Sequence, residues 1–141
     1  MNKTDQKLIS LLQEDARRST TSLAQALGVS RATVQNRLQR LEREGVIRGY
    51  TLVLGEDYEH GQVSASVLIK VQQKLTARTT RELKSMPETR SLQAISGDYD
   101  LIAVVQAAST ERLSHTLDEI ANLEGVERTN SSVILETKFS R

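Results

Sequence analysis

Two short helical segments with defined ends follow one another closely between residues 19 and 45. Ser19 and Ser30 are suited to cap them, because a serine hydroxyl can accept a hydrogen bond from a free N–H of the first helical turn. Gly28 and Gly45 are suited to end them, because glycine easily adopts the left-handed conformation that closes a helix. Two helices separated by so tight a turn are typical of a helix-turn-helix.

The surrounding residues complete a first domain. An apolar stripe that includes Leu8 and Leu12 predicts another helix over residues 4–15. After Gly45, residues 46–54 alternate in polarity and include β-branched side chains, which predicts a strand or wing. We therefore predict a winged helix-turn-helix over residues 1–50 and a linker strand and hinge over 51–62, where turn-forming residues accumulate.

Residues 63–141 predict a second domain with the order β-α-β-β-α-β. Strands are expected over 64–72, 92–96, 101–107 and 126–139, and helices over 76–86 and 110–123. Two similar βαβ halves are typical of a ferredoxin-like fold, which makes the chain α+β. Both crossovers place their helices on one face of the sheet. We expect the open face to be apolar and covered by a second subunit.

Positive charge is concentrated in the first domain. The net charge of the chain is +1, yet residues 17–48 hold seven arginines against two glutamates, a local charge of +5. Such a patch suits phosphate contact, although charge alone is equally consistent with a solvated helix face. The chain lacks cysteine, which excludes disulfides and thiolate metal sites. Without a membrane-length apolar run or a signal sequence, we expect a cytoplasmic, nucleoid-associated protein with no membrane partner.

The helix after Ser30 has an apolar side and a polar side. At about 100° per residue, Val34, Leu38 and Leu41 fall together and are expected to face the core. The other side carries Arg, Asn, Gln, Thr and Ala, which can contact base edges in the major groove. The candidates for base and groove-wall contacts are Arg31, Ala32, Thr33, Gln35, Asn36 and Gln39.

Contacts to phosphate are expected from hydroxyls and N–H groups at helix starts and from neighbouring arginines. The candidates are Arg17, Arg18, Ser19, Thr20, Thr21, Ser30, Arg40, Arg43 and Arg48. The alternative is an ordinary amphipathic helix with a hydrophilic exterior. Arg37 lies beside the apolar stripe and is interpreted as structural, paired with an acid. The two caps, the turn at Gly28 and the local charge together favour DNA binding.

Three segments in this order resemble a known family: Leu27-Gly28-Val29-Ser30, Gly45-Val46-Ile47-Arg48-Gly49-Tyr50 and Ser96-Gly97-Asp98-Tyr99-Asp100. Over essentially its whole length the chain resembles the Lrp/AsnC, or feast/famine, transcription regulators. The resemblance implies double-stranded DNA as a partner and a homodimer that assembles to a tetramer or octamer. It also implies a small-molecule effector, an amino acid bound between dimers, and no cofactor.

The segment at residues 97–100 is open to two interpretations. From its residues alone it is most simply a hairpin turn. Alternatively, its N–H groups could bind the α-carboxylate of an amino acid while an aspartate binds the α-ammonium. The resemblance favours the effector site and adds two polar positions of the last strand. The candidate effector-binding residues are Gly97, Asp98, Tyr99, Asp100, Thr129 and Ser131.

Catalytic groups are sparse, and we expect no enzymatic activity and no metal site. His60 in the linker and His115 on a helix are isolated, and the sequence has neither a metal-ligand spacing nor a glycine-rich phosphate loop. Haem-precursor decarboxylases resemble the same regulators in fold, so the architecture leaves an enzyme open, but no tetrapyrrole pocket is evident. A non-specific architectural DNA protein is the third class, and it would discriminate little between operator and random DNA.

Overall fold

The structure, a computed structural model, describes residues 1–55, 58 and 61–141. The chain divides into two compact units, Met1–Val53 and Leu54–Arg141. Part of the predicted hinge, with His60, lies outside the described residues. In the part of the chain that is described, none of the helices has the length and apolar character that a bilayer span requires.

Unit 1 consists of three helices, α1 (Lys3–Glu14), α2 (Thr20–Leu27) and α3 (Arg31–Arg43). The predicted caps are confirmed: the hydroxyls of Ser19 and Ser30 each accept a hydrogen bond of 3.1 Å from a first-turn N–H. Gly28 and Gly45 have φ angles of +67° and +73°, so both close their helices in the left-handed conformation. The core of this unit is formed by buried side chains of all three helices, namely Leu8, Leu23, Ala24, Val34 and Leu41.

The strand predicted for residues 46–54 was wrong. All of these residues are described, and they have no regular secondary structure, so the helix-turn-helix has no wing here and residues 51–54 form no linker strand. A strand needs a neighbour for its N–H and C=O groups, and none of the described segments of the chain pairs with this one. The chain is instead held to the end of α3, where Tyr50 donates its hydroxyl hydrogen to the Glu42 carboxylate at 2.8 Å.

Unit 2 has the predicted order of elements. These are β1 (Val63–Val71), α4 (Thr76–Ser85), β2 (Thr89–Ala94), β3 (Leu101–Ala107), α5 (Thr110–Ala121) and β4 (Val126–Ile134). The sheet is antiparallel with the strand order β2-β3-β1-β4, which is that of a ferredoxin-like fold. A single 3₁₀ turn, Gln73–Leu75, precedes α4.

Two strands, β2 and β4, differ most from the prediction, because pairing decides how far a strand extends. β4 stops at Ile134 instead of residue 139, since Ile134 lies opposite Ser64 and β1 begins only one residue before that position. β2 covers Thr89–Ala94 instead of 92–96, because it pairs with β3 from Val105 to Leu101.

The two faces of this sheet differ in burial. One face is packed against the helices, with Ile69 of β1 and Val105 of β3 fully buried beside Leu113 of α5. The open face carries the apolar side chains Leu68, Ile102, Val104 and Ile134, but it also carries polar side chains of β1 and β3, which are Ser64, Ser66, Lys70 and Gln106. The expectation of an apolar open face was therefore wrong, since the apolar residues of β1 are mainly those that point to the helices.

Candidate DNA interface and effector site

The polar side of α3 is exposed, as its amphipathic pattern predicts. Val34 and Leu41 are fully buried, and Leu38 packs against them. The exposed residues of the helix include most of the candidates for base contact, which are Arg31, Ala32, Gln35, Asn36 and Gln39. Thr33 is half-buried, and its hydroxyl lies 2.8 Å from that of Ser30. The first turn of α3 is thus fixed by the Ser30 cap while its outer face stays accessible.

The start of α2 presents N–H groups, hydroxyls and nearby arginines, which is the chemistry that binds a phosphate. Thr21 and Arg17 are exposed and Thr20 is half-buried. The Arg18 Nε donates a hydrogen bond of 2.8 Å to the Ser22 hydroxyl, so this guanidinium is held against α2. Arg43 and Arg48, at the end of α3 and beyond it, are also exposed.

A buried carboxylate on α1 contacts α3, and sequence reasoning did not identify it. Asp5 is 3% exposed. Its two oxygens accept hydrogen bonds from Arg37 Nη1 at 2.8 Å and from Arg40 Nη2 at 2.6 Å. The interpretation of Arg37 as a structural residue paired with an acid is confirmed. Arg40, a candidate for phosphate contact, is bound to the same acid and its side chain is 38% exposed.

The ionisation of Asp5 depends on opposing effects. Burial alone would raise its pKa, but the hydrogen bond from Arg37 and the positive charges of Arg40 and Arg37 outweigh burial and lower the pKa below its ordinary value. Asp5 is therefore an ionised carboxylate in the folded protein at neutral pH. An acid in the first turn of an amphipathic helix gave no sign in the sequence of partners more than thirty residues away.

The predicted effector loop joins β2 to β3 and is fixed at its end by Asp100. The Asp100 carboxylate accepts a hydrogen bond of 2.9 Å from the Val71 N–H, and Lys70 Nζ lies 3.5 Å from its other oxygen. The Asp100 N–H donates to the Ile69 carbonyl at 2.9 Å. Gly97 has a φ of +112°, which only glycine adopts readily. Asp98 is exposed, so the two aspartates of the loop have different surroundings.

The six candidate effector residues do not all lie on one face of the sheet. The guanidinium of Arg128 stacks on the Tyr99 ring at 5.1 Å, and Arg128 lies opposite Lys70 on the open face. Thr129 lies opposite Ile69, and Ser131 opposite Val67, so both belong to the face that packs on the helices. Within one chain the structure brings together residues 97–100, whereas Thr129 and Ser131 point to the other side.

Groups with catalytic potential are isolated. His115 is exposed on α5, where its Nε2 lies 2.8 Å from a Glu119 oxygen one helical turn away. Across the described ranges, no three His, Cys, Asp or Glu side chains come together in a way that could hold a metal ion.

Comparison with known proteins agrees with both units. Residues 1–42 match the model of the AsnC-type helix-turn-helix domain, and residues 64–141 match that of the Lrp/AsnC ligand binding domain. The HTH-type transcriptional regulator LysM of Sulfurisphaera tokodaii is 30% identical over 99% of this chain and 98% of that protein. The structure of AsnC from E. coli has a TM-score of 0.88 at 21% identity and covers 100% of this chain and 96% of that one.

A further similar structure is that of the transcriptional regulator NMB0573 of Neisseria meningitidis in complex with L-Met. It has a TM-score of 0.87 at 24% identity and covers 99% of this chain and 93% of that chain. A helix-turn-helix followed by a ligand-binding domain of this fold defines a DNA-binding transcription regulator. The chain belongs to the Lrp/AsnC family, whose members are regulators rather than enzymes.

Proposed function

We propose that this chain regulates transcription by binding specific DNA sequences through α3, and that an amino acid bound at residues 97–100 between dimers adjusts the binding. The observation that carries the first part is the exposed outer face of α3, where Gln35, Asn36 and Gln39 project from a helix whose opposite side is buried. The helix is held on a three-helix core, so the direction of these side chains is defined before DNA arrives.

The proposed contacts follow from side-chain chemistry. Asn36 and Gln35 can form paired hydrogen bonds with adenine, and Arg31 with guanine. The methyl groups of Ala32 and Thr33 can contact the thymine methyl. Phosphate contacts are assigned to the start of α2 and to exposed arginines, which fix the register of the protein on the duplex without reading its sequence. The residues with this role are Arg17, Ser19, Thr20, Thr21, Ser30, Arg43 and Arg48. Arg18 is also included, but its bond to Ser22 shortens the distance that its guanidinium can reach toward a phosphate.

For the effector, the two loop aspartates are assigned different roles. Asp98 is exposed, and its carboxylate is proposed to bind the α-ammonium group of an amino acid. Asp100 already binds Val71 and Lys70, and we assign it to holding the loop in shape. The L-Met complex of the structurally similar NMB0573 supports an amino acid as the class of ligand. Thr129 and Ser131 are assigned to a site shared between dimers.

Assembly supplies the link between the effector and DNA. A two-fold dimer with two copies of α3 requires a pseudo-palindromic operator, and dimers are proposed to associate to tetramers or octamers. An effector changes regulation only if it binds one state of assembly or of DNA binding more tightly than another. We propose that it shifts the association of dimers and thereby the spacing of their α3 helices.

Two measurements test this function. Selection from a randomised duplex pool is expected to return a pseudo-palindromic motif, and recovery of unselective binding would indicate an architectural DNA protein instead. Calorimetry with the standard amino acids, combined with sedimentation velocity, is expected to identify a ligand that also changes assembly. Binding with unchanged assembly and unchanged DNA affinity would refute the regulatory part.

A further inference from the structure

Asp5 lies outside the two helices that form the DNA-reading motif, yet it bonds to the second of them. Arg37 and Arg40 are three residues apart on α3, so their side chains leave the helix on adjacent turns of one side. Each of the two guanidinium groups binds a different oxygen of the same carboxylate, at 2.8 Å and 2.6 Å. Contact at two points on successive turns adds a polar restraint on the rotation of α3 about its own axis to the restraint from its buried apolar side.

The frame that holds Asp5 is itself fixed. Leu8, one turn further along α1, is fully buried in the core with Leu23 of α2. The Asp5 N–H donates to the side chain of Asn2 at 2.8 Å, which caps the start of α1. The carboxylate therefore has a defined position relative to the core, against which α3 can be oriented.

We propose that Asp5 is a positioning residue for DNA readout: together with the apolar core it fixes the rotation of α3 and so the direction in which Gln35, Asn36 and Gln39 meet the bases. The inference rests on the proposed function, because it requires that these three side chains contact base edges. It also assigns Arg40 to the Asp5 contact, whereas Arg43, one turn later and exposed, remains for phosphate.

If Asp5 only stabilised the fold, its loss would not affect base discrimination more than general affinity for DNA. Buried ion pairs add little net stability, because desolvation of the charges opposes their attraction, and in some proteins their role is to fix geometry. Loss of Asp5 is therefore expected to disturb base discrimination more than general affinity for DNA. Paired hydrogen bonds between a side chain and a base tolerate little rotation, whereas contacts to phosphate adapt to it.

The test compares the full-length chain with its variants Asp5→Asn and Asp5→Glu. The probes are the duplex that the wild-type protein selects from a randomised pool and a scrambled duplex of the same composition, at fixed salt and at a temperature where circular dichroism shows each variant folded. Asp5→Asn is expected to lower the ratio of the two affinities about tenfold, with scrambled binding unchanged within about twofold. Asp5→Glu, which keeps the charge, is expected to restore much of the ratio.

Arg43→Ala is the matched control, and it is expected to lower the affinity for both duplexes by the same factor. If Asp5→Asn fails to fold, Arg37→Gln gives the same readout, since it removes one of the two bonds to Asp5 at a residue that is not a candidate for DNA contact. The positioning role alone would be overturned if the folded variant kept the wild-type ratio of affinities for the two duplexes. It would also be overturned if the variant lost affinity equally for both. A wild-type protein that shows no discrimination would overturn the proposed function as well.

Discussion

The carboxylate of Asp100 accepts a hydrogen bond of 2.9 Å from the backbone N–H of Val71, at the end of the central strand β1. The contact ties the loop between β2 and β3 to a neighbouring strand. Asp98, two residues earlier, is exposed. The loop thus offers two residues of the same type, one that holds its shape and one available to a ligand.

This difference predicts that substitutions of the two aspartates change the stability of unit 2 by unequal amounts. Asp100→Ala leaves the Val71 N–H without its partner and is expected to lower the free energy of unfolding of unit 2 by about 1–2 kcal/mol. Asp98→Ala is expected to change it by less than about 0.5 kcal/mol, as at other surface positions. Hydrogen exchange of the β1 amides measures the change in the free energy of unfolding for each variant. Equal stability of the two variants would contradict the assignment.

Gly125 lies between α5 and β4 in a position without room for a side chain. A Cβ there would overlap the Thr79 hydroxyl oxygen and lie 3.0 Å from Leu75 Cβ. Gly125→Ala is expected to destabilise unit 2 by about 1–3 kcal/mol through overpacking. Gly61→Ala is the control, since no atom of the described residues outside its chain neighbours lies within 4 Å of the Cβ it would add. Urea denaturation measures both variants.

The same contact predicts that Gly125→Ala and Thr79→Ala are not additive. Thr79 is fully buried, and within the described structure its hydroxyl has no hydrogen-bond partner. Its removal makes room for the new methyl group, so the double variant is expected to be more stable than the sum of the single changes by at least about 0.5 kcal/mol. Additive losses would show that the alanine at 125 is accommodated by another movement.

Asp5 predicts how the stability of unit 1 depends on pH. Its pKa is lower in the folded than in the unfolded protein, so its contribution is complete above the unfolded pKa of about 3.9 and is lost as pH falls through the folded value. Near pH 6, Asp5→Asn is expected to be less stable than wild type by about 1–3 kcal/mol. The difference should shrink toward pH 2 in thermal unfolding. A difference that does not vary with pH would contradict this account.

The hydrogen bond between Tyr50 and Glu42 is expected to be lost at alkaline pH. Burial, the hydrogen bond to Glu42 and the charge of that carboxylate all raise the pKa of the Tyr50 phenol. The contact is therefore complete below the ordinary tyrosine pKa of about 10 and is lost as pH rises through the higher folded value. Glu42→Gln is expected to lower the pKa of Tyr50. The pKa is measured by absorbance titration of the tyrosines, and the part of the signal that is lost in Tyr50→Phe belongs to Tyr50. An unchanged titration would show that Glu42 has no influence.

The sequence predicted best those features that depend on neighbouring residues. The Ser30 cap and the exposed side of α3 follow from local spacing, and both are found in the structure. The contact of Asp5 with Arg37 and Arg40 depends on how α1 packs against α3, which no local pattern records. β4 ended early because its pairing with β1 ends at Ser64, one residue from the start of β1, although the polarity pattern continues. Residues 46–54 show the same limit, since alternation alone does not supply a neighbouring strand.

The direct test of the account is to compare Asn36→Ala with Arg43→Ala on the selected and scrambled duplexes over a range of salt concentrations. Asn36→Ala is expected to lose about tenfold in affinity for the selected duplex and little for the scrambled one, because it removes the proposed base contact. Arg43→Ala should lower the affinity for both duplexes equally. It should also reduce the slope of log affinity against log salt concentration by about 1. Equal losses on both duplexes for Asn36→Ala would contradict the claim that α3 reads the DNA sequence.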